Sequence, residues 1–254
     1  MSENVSPGAP AERDRLRVVA KSVGLALAGA VAGIVTLFVL ASVLQTVGVD
    51  VQNQVVLQYG LSILALQGFG FIIVVLAFFK LEDRFDIVDI RMPTLRDVGF
   101  AVAGLLGLLA LLAALSAAYT AVGVETPSTS IVEDGMQNPE LALYLIPLTY
   151  LFVGPGEELM FRGAVQGMLR ERYAAVPAIG IASGVFALAH VMNVFGAPLP
   201  QVGAYLFVIF ALSLLLGALY EVTENLLVTI FVHGTYNSVT FLALYFRATG
   251  GVPA

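Results

Sequence analysis

The sequence contains no cysteine among its 254 residues. Disulfides, thiol nucleophiles and cysteine-ligated metals are therefore excluded. Charge is also scarce, because Asp, Glu, Lys and Arg make up only 12% of the chain, against about 25% in soluble domains. So few charges cannot cover a compact soluble surface, which argues against an ordinary cytosolic enzyme, a disordered protein and a nucleic-acid binder.

Apolar residues make up 59% of the chain, and they form long runs without any charge. A helix that spans a bilayer needs about 20 mostly apolar residues. We therefore predict an all-α, polytopic transmembrane helical bundle of about seven spans, with six to eight as the range. The predicted spans are 22–47, 55–79, 98–122, 140–172, 177–195, 202–220 and 225–246.

Two features qualify this pattern of spans. Residues 1–17 begin with an acidic segment rich in proline and glycine, so we expect a disordered cytoplasmic tail followed by a single integral membrane domain over 18–254. Gly154-Pro155-Gly156 falls inside the fourth predicted span. Proline lacks a backbone N–H, so we expect a kink or break in the helix there.

The basic residues predict how the chain is oriented in the membrane. Eleven of the twelve precede the first span, lie between the second and third, or close the fourth, and Arg247 is the exception. Loops rich in Lys and Arg remain in the cytoplasm. We therefore predict a multi-pass protein of the cell membrane with a cytoplasmic amino terminus.

Few ionisable residues remain inside the predicted spans, and such residues are candidates for function. The first group is Glu157, Glu158 and Arg162. Glu158 and Arg162 are four residues apart, so they can pair on one helix face, whereas Glu157 points about 100° away. The alternative is a cytoplasmic helix start with glutamates in its first turn.

Both histidines of the chain form the other groups. His190 follows Phe186 by four residues, and Asn237 follows His233 by four. Each spacing places its two side chains on one helix face. The alternative is that these polar groups only hydrogen-bond neighbouring helices.

Taken in order, Glu157-Glu158-x-x-x-Arg162, Phe186-x-x-x-His190 and His233-x-x-x-Asn237 resemble the three motifs of the CPBP family. This family of CAAX-protease and bacteriocin-processing (Abi) proteins includes the type II CAAX prenyl endopeptidases. The resemblance implies an intramembrane endopeptidase with its catalytic core at about 140–246. The substrate it implies is a membrane-associated peptide or protein of CAAX or related type, with or without a prenyl group.

The chemistry of these residue types permits peptide hydrolysis without a cofactor. Glu157 is the best general base, because Glu158 is expected to pair with Arg162 and to orient the site. His190 can hold the attacking water, and His233 with Asn237 can donate hydrogen bonds to the oxyanion. These roles match those that the resemblance implies for glutamate-dependent members of the family.

Two other interpretations remain open. Glu157, His190 and His233 are also a suitable ligand set for a catalytic zinc ion with one open position. The same residues would also serve a non-enzymatic transporter or proton relay. Every Asp lies in a predicted loop or tail, which excludes an aspartyl dyad, and Ser183 is the only serine that suggests a serine–histidine pair. Membrane lipid is the further expected partner.

Overall fold

A computed structural model describes residues 12–251 of the protein. Across these residues the regular structure is entirely helical, which confirms the predicted all-α class. The chain forms eight helices here: α1 (Glu12–Thr46), α2 (Val55–Glu82), α3 (Leu95–Ala121), α4 (Ser130–Gln137), α5 (139–170), α6 (Ala175–Ala189), α7 (Leu199–Thr223) and α8 (Leu226–Ala248).

Five of these helices, α1, α2, α3, α7 and α8, are long and apolar enough to cross a membrane. The other two predicted spans correspond to α5, which carries the charged motif, and α6, which has only 15 residues. Helix α6 stops at Ala189, short of the predicted end at 195. Many large apolar side chains on α1 and α3 face outward, as a lipid environment favours. The protein is therefore a multi-pass membrane protein.

Of the predicted kink or break at Pro155, the break is wrong, because the chain stays helical from 139 to 170. A wide π-helical turn at Thr149–Val153 comes just before the proline. The N–H of Gly154 bonds the carbonyl of Thr149, five residues back. This wider turn accommodates a residue that cannot donate a backbone hydrogen bond.

The first helix begins earlier than predicted. Helix α1 starts at Glu12, so residues 12–17 are helical instead of part of a disordered tail. Acidic residues in the first turn, Glu12 and Asp14, suit the positive end of the helix dipole. The rest of the predicted tail, residues 1–11, lies outside the described residues.

Glycines allow α1 and α2 to pack with their backbones close together. Gly29 and Gly33 form a small-xxx-small pair on α1, a pattern that favours close helix contact in membranes. A Cβ atom on Gly70 of α2 would lie 2.5 Å from the carbonyl oxygen of Gly29. The contact falls within a π-helical segment of α2, Leu64–Ile73.

Ion pairs and hydrogen bonds bring the basic ends of the helices together. Lys21 near the start of α1 pairs with Glu82 at the end of α2, and Arg170 at the end of α5 pairs with Glu221 of α7. Arg84, after α2, pairs with Glu171, after α5. One end of the bundle, which we call the basic end, therefore carries these residues.

Candidate active site

A buried ion pair forms the centre of the candidate site. Nη1 of Arg162 donates to Oε1 of Glu158 at 2.9 Å, and both side chains are almost completely buried. The predicted i, i+4 pairing is therefore present. Glu158 Oε1 also lies 2.7 Å from Nδ1 of His233 on α8. Since a carboxylate only accepts, Nδ1 of His233 carries the hydrogen.

Arg162 has further partners on α6 and α7. Nη2 donates to the Ser213 hydroxyl at 3.0 Å and to the Ser213 carbonyl at 3.3 Å. The guanidinium carbon lies 4.7 Å from the centre of the Phe186 ring, a cation–π contact. The buried cation therefore joins three helices and does not face solvent.

Glu157 lies in different surroundings, although it is adjacent to Glu158 in the chain. Its exposure is 6%, and its Oε1 accepts a hydrogen bond from Nε2 of Gln67 on α2 at 3.3 Å. Its Oε2 lies 3.9 Å from Nε2 of His233, beyond hydrogen-bond distance. The carboxylate is thus close to His233 but has no direct charged hydrogen-bond partner among the described residues.

His190 lies at the carboxyl end of α6 and is half-buried. Its Nδ1 is 2.9 Å from the Phe186 carbonyl oxygen. That oxygen can only accept, so Nδ1 is the donor and Nε2 of the neutral ring is an acceptor. The Phe186 ring centre is 4.5 Å from the His190 ring centre and 6.3 Å from that of His233. Phe186 therefore lies between the two histidines and beneath Arg162.

Asn237 lies one turn beyond His233 on α8, and it is half-buried. Its Nδ2 donates to the Thr149 hydroxyl at 3.3 Å. Thr149 belongs to the π-helical turn that precedes Pro155. An amide nitrogen has two hydrogens, so one remains for another acceptor.

The structure therefore brings Glu157, Glu158, Arg162 and His233 into direct proximity, with His190 linked to them through Phe186. Asn237 is linked through the helix face it shares with His233. Both glutamates lie well inside α5, about 18 Å along the helix from Arg170 at the basic end. The alternative of an exposed cytoplasmic helix start is wrong, because Glu158 is fully buried in mid-helix.

The zinc interpretation requires three ligands that converge. Within residues 12–251, no three His, Asp or Glu side chains are arranged so that they could hold a metal ion. One nitrogen of His233, Nδ1, is bonded to Glu158 and only Nε2 faces Glu157. The residues as placed here do not form the predicted ligand set of Glu157, His190 and His233.

Sequence reasoning missed three polar side chains of the site: Gln67, Ser213 and Thr149. All three lie within uncharged runs, so a search for ionisable residues passes over them. Each is nonetheless buried. A search for amides and hydroxyls in the middle of apolar spans would have included them, because buried polar groups need partners.

Comparison with known proteins places this site in a family. Residues 139–239, about two-fifths of the chain, match the family model described as Type II CAAX prenyl endopeptidase Rce1-like. The matched segment contains all three motifs. Searches of the curated proteins and of the solved structures found no match. Over residues 139–239 the chain is therefore similar to the type II CAAX prenyl endopeptidases, and this match supports the predicted resemblance to the CPBP family.

Proposed function

We propose that this membrane endopeptidase hydrolyses a peptide bond with a water molecule that Glu157 activates. The observation that carries the proposal is the contrast between two adjacent carboxylates. Glu158 is held by Arg162 and His233, whereas Glu157 has a neutral amide and a histidine nitrogen at 3.9 Å as its polar neighbours. A base must be free to take a proton, and Glu157 is the freer of the two.

In the proposed reaction, Glu157 takes a proton from water as the water oxygen attacks the scissile carbonyl carbon. The proton then passes to the departing amine nitrogen as the carbon–nitrogen bond breaks. Nε2 of His190, an acceptor in the neutral ring, would hold one hydrogen of the attacking water. This role is supported by the fixed Nδ1 bond to Phe186.

His233 and Asn237 are proposed to donate hydrogen bonds to the oxyanion. Because Nδ1 of His233 is committed to Glu158, the ring can donate from Nε2 only when both nitrogens are protonated. Glu158 would then balance the charge of the ring. The free amide hydrogen of Asn237 would supply the second donor.

The first experiment compares Glu157→Gln with wild type on an internally quenched CAAX-type peptide, with and without a farnesyl group. Glutamine keeps the shape but cannot take a proton, so turnover should be abolished while folding and peptide binding remain. Glu140→Gln, an exposed glutamate on the same helix, is the matched control. Near wild-type cleavage by Glu157→Gln would show that the base is another residue.

The metal alternative is tested on purified protein. The metal-free mechanism predicts full activity after exhaustive chelation and far less than one zinc per chain by elemental analysis. Stoichiometric zinc that is lost together with activity would assign Glu157, His190 and His233 as ligands instead.

The orientation is proposed from the positive-inside pattern. On this proposal the basic end of the bundle lies in the cytoplasm, and the substrate reaches the site from that end. On this proposal the substrate is cut near the cytoplasmic face of the cell membrane.

A further inference from the structure

Gln67 is a buried amide in the middle of an apolar helix. It lies in the π-helical segment of α2 and is 9% exposed. The segment lies outside the residues that match the family model, 139–239. A buried amide in a membrane span requires hydrogen-bond partners, and the partner of Gln67 is Glu157.

The hydrogen bond involves one particular carboxylate oxygen. Nε2 of Gln67 donates to Oε1 of Glu157, and the other oxygen, Oε2, faces Nε2 of His233. The opposite orientation of the amide would place two acceptors against each other. A donated hydrogen bond lowers the basicity of the oxygen that accepts it, so a proton that arrives at Glu157 favours Oε2, the oxygen that is not bonded to Gln67.

We infer that Gln67 is a positioning residue that makes Oε2 of Glu157 the basic oxygen and directs it towards His233. The inference rests on the proposed role of Glu157 as the general base. Proton abstraction depends steeply on the placement of the base. A carboxylate free to rotate would present either oxygen in several directions.

The packing of α2 against α5 fixes the Gln67 side chain in this position. A Cβ atom on Gly156, the residue before Glu157, would lie 2.7 Å from the backbone oxygen of Gln67 and 2.9 Å from its Cβ. Only glycine permits this approach. The backbone of Gln67 therefore packs directly against α5. This contact places the side-chain amide 3.3 Å from the Glu157 carboxylate.

The acceptor end of the amide gives a second, independent observation. Oε1 of Gln67 is buried and has no hydrogen-bond partner among the described residues. An unpaired buried acceptor is costly. The Gln67 amide therefore has Glu157 as its hydrogen-bond partner, and its other end has none among the described residues.

The test compares Gln67→Met with Gln166→Met in detergent-purified protein. Methionine keeps the length of the side chain and removes its donor and acceptor. Gln166 is a matched control, because it is also buried and its Nε2 donates to the Gly217 carbonyl, away from Glu157. On the quenched farnesylated peptide, Gln67→Met should lower kcat at least about tenfold with little change in KM, as loss of one hydrogen bond to a charged group predicts. Gln166→Met should keep kcat.

Gln67→Asn keeps the amide but withdraws it by one methylene, so kcat should fall here as well. A kcat within twofold of wild type for either folded Gln67 variant would overturn the inference. The Asn variant decides the question if the Met variant does not fold.

Infrared spectroscopy provides a readout that does not need turnover. Acidification should give a carboxyl C=O band that is absent in Glu157→Gln, and loss of the Gln67 donor should move this band to higher frequency. An unmoved band would overturn the inference even if the protein cleaves peptides. A moved band in a chain that cleaves no peptide would support the hydrogen bond and reject the proposed function instead.

Discussion

The two adjacent glutamates acquire different surroundings because successive residues on a helix point about 100° apart. Glu158 points towards α8 and joins Arg162 and His233, whereas Glu157 points towards α2 and meets Gln67. Glu158 thus joins two of the three sequence motifs through one oxygen atom. The effects of replacing Glu158 on stability and on activity should therefore be separable.

Glu158→Gln should destabilise the protein. It leaves the buried guanidinium of Arg162 without its carboxylate, and an unpaired buried charge costs about 3–5 kcal/mol. Thermal unfolding in detergent measures the loss. Adding Arg162→Met in the same chain should restore part of the stability, because the unpaired charge is removed.

The double variant Glu158→Gln/Arg162→Met should still cleave poorly. The reason is that Nδ1 of His233 would have lost the carboxylate that fixes it. Wild-type cleavage by a folded double variant would contradict the role of Glu158 in orienting His233.

At the scale of single residues, the spacing of residues in the sequence predicts some contacts of the site but not others. The Glu158–Arg162 pair follows from the helical period. The bond between Glu158 and His233 joins residues 75 positions apart, and no periodicity predicts such a contact. Gln67 and Glu157 are 90 positions apart, so their contact depends on how α2 packs against α5.

Helix packing in the bundle depends on glycines, as the crossing of α1 and α2 shows. Gly29, Gly33 and Gly70 bring the two backbones close together. The same stretch of α2 holds Gln67. The crossing therefore fixes the depth at which the amide meets Glu157.

Gly70→Ala should destabilise the protein by about 1–3 kcal/mol, since the new methyl group would overpack the crossing. The methyl would lie 2.5 Å from the Gly29 carbonyl oxygen, a backbone atom that cannot move aside cheaply. Gly60→Ala on the same helix is the control, because nothing lies within 4 Å of its added Cβ. Equal melting temperatures for the two variants would contradict the close crossing.

The elements themselves were largely predictable, because long uncharged runs leave little alternative to membrane helices. The errors occurred where local backbone geometry decides. Pro155 was expected to kink or break α5, but the helix continues through it and a π-helical turn accommodates the proline. His190 was expected inside a span, but α6 ends at Ala189 and a 3₁₀ turn follows at Val191–Val194.

At the scale of the whole molecule, basic side chains at the basic end also hold neighbouring helices together. Arg91, in the loop before α3, donates to Asp97 of α3 at 2.6 Å and to the Thr223 carbonyl of α7 at 2.7 Å. His233 lies only about 10 Å along α8 from its first residue at this same end. The orientation of the bundle therefore decides which compartment the site opens to.

The absence of cysteine permits a direct test of orientation, since any single cysteine introduced is the only thiol. Met92 and Val122 flank α3 at opposite ends and are 83% and 71% exposed. In intact cells, a membrane-impermeant maleimide should label Val122→Cys, whereas Met92→Cys should be labelled only after lysis. The cysteine-free wild type supplies the background. If Met92→Cys is labelled in intact cells and Val122→Cys is protected, the bundle has the opposite orientation. The carboxylates of Glu157 and Glu158 would then lie nearer the outer face, and cleavage on the cytoplasmic side would be untenable.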